Sequence, residues 1–177
     1  MPNDVKEPGP GFGLPSALER IPVDAQLKTV AARVAHRLGP EDAAALRLID
    51  LAALVARADG VIDDAEKAAL TSFIEELLGT SMSKVVVAQL IAERIDAASN
   101  GSIAAQCEAI GKALANADVT TDGLELAVRI ALASGGLGPE EKDVIWAVAK
   151  AAGTTPEHVA LLIARVSRAS LTPPAGA

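Results

Sequence analysis

The chain has 177 residues, enough for one domain with a proper core. Hydrophobic residues make up 50% and aromatics only 2%, with no Tyr, so the core must be built from Ala, Leu, Ile and Val, in layers brought close by small side chains. The 23 Asp and Glu against 16 Lys and Arg give a net charge of −7, which favours cations and basic partners; with no Arg/Lys stripe interleaved with aromatics, no nucleic-acid role is expected.

In chain order, residues 1–23 are rich in Pro and Gly and read as a flexible arm. The opening MPNDVKEPGPGFGLP has neither a basic n-region nor an apolar h-region, so no secretory signal is expected. Its GPGFG lacks the strand-to-helix setting and the Lys-Ser/Thr ending of a phosphate loop. A helical domain is expected over 24–169, followed by a second flexible stretch over 170–177. His36 falls near the end of a helix in AARVAHRLGP, where an imidazole suits the dipole. The run from Leu48 to Ala58 is apolar nearly all round and predicts a central helix.

After an acidic turn, Leu70, Phe73, Ile74, Leu77 and Leu78 form a helical stripe. VVVAQLI has strand-like composition, but Val86, Leu90, Ile91, Ile95 and Ala98 keep a helical period. The single cysteine, Cys107, excludes an intramolecular disulfide and fits a reducing, cytoplasmic setting; in AAQCEAIGKAL it reads as a small core filler. In NADVTTDGLEL, Thr120 or Thr121 is the expected cap, with Asp118 and Asp122 extending an acidic surface. Leu124 to Ala133 predicts a second central helix. Two more stripes follow, Val144 to Ala152 with Trp146 at its edge, and Val159 to Val166 with His158 in the first turn.

Gly39, Gly60, Gly79, Gly101, Gly135 and Gly153 each close an apolar run as a left-handed C′ residue would, and Pro40, Pro139 and Pro156 sit where a first-turn proline is tolerated. No apolar run reaches membrane-spanning length. The expected architecture is all-α, a compact bundle of about eight helices with an internal pseudo-twofold repeat of helical hairpins.

The acidic turn, RADGVIDDAEKAAL from Arg57 to Leu70, holds Asp59, Asp63, Asp64 and Glu66. Helix capping explains most of it: Gly60 ends one helix, Asp63 caps the next, and Glu66 completes a capping box. Asp63, Asp64 and Glu66 also lie at the positive end of the helix dipole, where each contributes roughly 0.3–1 kcal/mol. Asp59 lies at the negative end of its helix, and capping does not account for it. A hard cation would, with Asp59 and Glu66 as the inner pair and Asp63 or Asp64 adding oxygens, as Ca²⁺ or Mg²⁺ requires. A basic side chain from a partner would also serve. The spacing is not that of an EF-hand.

The pattern returns later in the chain. Leu51, Ala52, Ala56, Ala58, Gly60, Glu66 and Lys67 recur without a gap as Leu126, Ala127, Ala131, Ala133, Gly135, Glu141 and Lys142, with Ser134 in place of Asp59 and Gly138 in place of Asp63. If the two turns meet, Glu141 joins the candidate metal residues Asp59, Asp63 and Glu66. The repeated Ala-Asp-Gly-hydrophobic-hydrophobic-acidic-x-x-Glu pattern, degenerate in its second copy, resembles the TerB-like tellurite-resistance family over roughly Gly39 to Val166. The same fold resembles the helical domain of DjlA-type co-chaperones. The resemblance implies an all-helical domain, stress responses to metals and oxyanions, acidic metal-binding positions and protein partners, a membrane-linked stress complex among them.

Neither His36 nor His158 offers a partner to Cys107 or to a serine, and no nucleophile–base pair appears, so no enzyme is expected. Two function classes remain. One is a stress-response or regulatory module presenting an acidic, cation-binding turn; the other is a co-chaperone-like or scaffold domain that docks a protein without metal.

Overall fold

The computed structural model describes residues 23–39, 42–79 and 82–170. These form eight α-helices and one short 3-10 turn, with no strand among the described residues. The helices are α1 (Val23–Leu38), α2 (Ala43–Ala56), α3 (Asp64–Leu78), α4 (Lys84–Ser99), α5 (Ile103–Asn116), α6 (Thr120–Ala131), α7 (Pro139–Ala151) and α8 (Pro156–Ala169). The 3-10 turn, Leu132–Ser134, lies between α6 and α7. Of the expected arm and tail, residues 1–22 and 171–177 lie outside the described residues, as does Pro40; Val23 opens α1 and Ser170 closes α8.

Helices α2 and α6 are the central pair, as their all-round apolar sequences require. Both are buried along most of their length and pack on each other. Around them, α1 lies on α3 and α6, α5 lies on α7, and α8 covers α6. The shortage of aromatics is met by close approach. A Cβ built at Gly111 of α5 would stand 2.5 Å from the Val148 carbonyl oxygen and 2.6 Å from the Ala151 Cβ of α7, so only glycine allows that crossing. Phe73, fully buried on α3, is the largest side chain of the core.

The helix ends follow their punctuation with two exceptions. Gly39, Gly60, Gly79, Gly135 and Gly153 have positive φ, and Pro139 and Pro156 open α7 and α8. Gly101 does not adopt a positive φ; α4 ends instead on Asn100 at φ −107°. The expected threonine cap of α6 is also absent. Thr120 is already its first residue, Val119 precedes it without a side-chain cap, and Asp118 turns the chain at φ +55°.

VVVAQLI is helical, yet α4 buries only Val87 and Ala98; Val86 of its expected stripe is exposed and Leu90 and Ile91 are half-buried. α4 lies at the edge of the bundle, where its main contacts are with α2 and α3. No helix among the described residues is long and apolar enough to cross a membrane.

Candidate acidic site

Two turns build the site. After Ala56 the chain tightens: Ala58 N–H donates to the Val55 carbonyl at 3.0 Å and Gly60 N–H to that of Arg57 at 2.8 Å. Gly60, at φ +89°, then directs the chain away from α2, a conformation in which a Cβ would be strained. The Asp59 carboxylate accepts the Val61 N–H at 2.9 Å, an Asx-turn across the glycine. Asp59 therefore has a local structural role that helix capping and the dipole do not anticipate, and its presence does not of itself require a ligand.

Three residues on, Asp63 caps α3. Its Oδ1 accepts the Glu66 N–H at 2.8 Å, and Glu66 Oε2 accepts the Asp63 N–H at 3.0 Å, closing the capping box. The second turn repeats half of this. Gly135 turns the chain at φ +105°, Ser134 Oγ donates to the Ala131 carbonyl at 2.9 Å, and Glu141 Oε2 accepts the Gly138 N–H at 2.5 Å. Gly138 has no side chain to return the bond.

Both capping glutamates are buried, Glu66 at 3% and Glu141 at 6% exposure. Burial raises the pKa of each above the ordinary carboxylate value, partly offset by the backbone N–H each accepts. Like charges raise them further, Asp63 and Asp59 acting on Glu66, and Glu66, Asp59 and Glu140 acting on Glu141. Helix α3 also packs on the 3-10 turn that precedes Gly135.

The two acidic turns are therefore neighbours, with Asp59 acting on both glutamates and Glu66 on Glu141. Asp63 stays at the α3 cap, exposed, and acts on Glu66 but not on Glu141. Asp64 is solvent-exposed and lies 3.8 Å from Lys67.

Among the described residues, no lysine, arginine or histidine forms an ion pair with Asp59, Glu66 or Glu141. Nor do three or more His, Cys, Asp or Glu side chains among the described residues stand close enough to hold a metal ion as they are. The arrangement is a concentration of negative charge around two buried glutamates, each holding one backbone N–H.

The remaining candidates are structural. Cys107 is buried, and burial pushes its thiol up, away from the reactive thiolate. His36 and His158 are exposed in terminal helical turns. Trp146 is half-buried against the core.

A second carboxylate group goes unseen in the sequence. Asp122, expected on an acidic surface, is buried on α6 and takes Arg33 Nε at 2.9 Å and Arg37 Nη1 at 2.8 Å from α1. Glu125, one turn further on, takes Arg129 Nη2 at 2.6 Å, Arg165 Nη2 of α8 at 3.1 Å and Arg33 Nη2 at 3.4 Å. Arg129 also donates to Gln26, whose amide reaches the Ala169 carbonyl. The central helix is buried because its charges are paired to α1 and α8. Glu125 and Arg129, one helical turn apart within an apolar run, are the signal that could have exposed this network.

No curated protein and no solved structure matches the chain. The family profile described as tellurite resistance protein TerB matches residues 29–164, from within α1 to within α8 and across both acidic turns. The chain therefore belongs to the TerB family.

Proposed function

We propose that this TerB-family chain is a non-enzymatic, cytoplasmic stress-response module that acts by binding, and that its two neighbouring acidic turns take a divalent cation, Ca²⁺ or Mg²⁺. One observation supports this most: Asp59, Glu66 and Glu141 share one region with no basic partner among the described residues, while burial and nearby like charges work against the charges of Glu66 and Glu141. A cation would relieve that repulsion. Mg²⁺ suits such a place because it keeps several waters and needs only one or two carboxylates. Asp63, engaged at the α3 cap, contributes field more than a ligand.

The test is calorimetry and amide NMR with Mg²⁺ and with Ca²⁺. A saturable shift is expected at Gly60, Glu66, Gly135 and Glu141, lost when Glu66→Gln and Glu141→Gln are combined. Glutamine keeps a carbonyl oxygen for each backbone N–H, so the caps survive the loss of charge. At ten times Kd the cation should stabilise the fold by roughly 1.4 kcal/mol. Absence of localised shifts at millimolar metal contradicts the reading.

A further inference from the structure

Beside the acidic turns, the end of α2 and the facing sides of α5 and α7 leave an open groove of about 640 Å³. Its walls are apolar: Leu54 of α2, Ile103 and Cys107 of α5, and Val144 and Ala147 of α7. Ile103, the first residue of α5, is 54% exposed at the edge of this groove. Asp59, Glu140 and Asp143 line it as well, all exposed, against the single cation Arg57. None of those three carboxylates forms an ion pair with a described basic side chain.

We propose that this groove docks a basic, amphipathic segment of a protein partner, which inserts an aliphatic side chain beside Ile103 and sets lysines or arginines on Asp59, Glu140 and Asp143. An apolar centre with a rim of predominantly negative, unpaired charge is the anatomy of a protein interface, and the charge selects the partner. A second copy of the chain is disfavoured by its own net charge of −7. A neutral apolar molecule would leave the acidic rim unused. Cys107 is buried in the floor, so the groove offers contact and no thiol chemistry.

This inference stands apart from the cation reading. Ile103 and Asp143 belong to the groove, Glu66 and Glu141 to the carboxylate pair, and only Asp59 is shared.

Fluorescence anisotropy on the full chain with two labelled synthetic helical peptides of about 18 residues, roughly five turns, tests it. Both carry the same leucine stripe; one has Lys and the other Glu at the polar positions. The Lys peptide should bind one to one. Its affinity should fall about tenfold or more, some 1.4 kcal/mol, in Ile103→Arg and in Asp143→Lys. It should be unchanged when Glu66→Gln and Glu141→Gln are combined. Both groove substitutions are at exposed positions, and an unshifted thermal midpoint confirms their folding.

The proposal is overturned if the Lys peptide does not bind, if both groove variants bind it like the parent chain, or if the Glu peptide binds equally well. Concentration-dependent self-association abolished by Ile103→Arg would also overturn it, since the occupant would then be a second copy. Loss of cation binding in the glutamine pair with peptide binding intact separates the two sites.

Discussion

Two groups of carboxylates lie within the bundle, and they are treated in opposite ways. Asp122 and Glu125 on α6 are enclosed by Arg33, Arg37, Arg129 and Arg165, so every burial of negative charge there is answered by a guanidinium. Glu66 and Glu141 are as deeply buried, with Asp59 nearby, and the described residues supply them only one backbone N–H each. The first group ties three helices together. The second stores repulsion at the junction of two turns, where a fold seeking only stability would place a basic or neutral side chain.

The contrast can be broken at its strong end first. Glu125→Ala leaves Arg129, whose side chain is 9% exposed, without its main partner. Urea unfolding should show a loss of about 3–5 kcal/mol, the cost of an orphaned buried charge. An intermediate effect is expected from Asp63→Ala, which removes the α3 cap and should cost about 1 kcal/mol by the same measurement.

The smallest effect should have the opposite sign. Glu66→Gln combined with Glu141→Gln keeps the backbone bonds and removes the repulsion, so metal-free protein at pH 7 should gain on the order of 0.5 kcal/mol, the scale of relieved like-charge contacts. A large loss there would show that the two groups are alike after all.

The pH dependence follows from the same difference. Glu66 and Glu141 have folded-state pKa values above the ordinary 4.5, so between that value and their raised values the folded chain holds protons that the unfolded chain has released. Their contribution favours folding below 4.5 and is lost as pH rises through the raised values. The glutamine pair should flatten this slope in thermal unfolding followed from mildly acidic to neutral pH.

Much of this architecture is legible from local rules. Apolar period and glycine–proline punctuation locate the helices, and S/T/D-x-x-E spacing foretells the capping box of Asp63 and Glu66 because each bond joins residues three apart. What is not legible depends on which helices touch. Nothing in the sequence of α1 ties Arg33 and Arg37 to Asp122; only the fold sets α6 beneath them. Likewise Asp122 reads as surface, and Val86 as core, because period shows a stripe but not the depth of the layer above it. Asp59 is half legible for a different reason: its Asx-turn to Val61 is local, while the dipole rule alone points only to a cation. The Asp50–Arg94 pair joining α2 to α4 is illegible on the same grounds as the α6 network.

The most direct measurement is a carboxyl NMR titration of Glu66 and Glu141, with and without Mg²⁺. Both should titrate above the ordinary carboxylate value in metal-free protein, and both should move downward together when Mg²⁺ is added. Ordinary titration of the pair, or raised values indifferent to the cation, would contradict the claim that these turns hold uncompensated charge for a cation to bind.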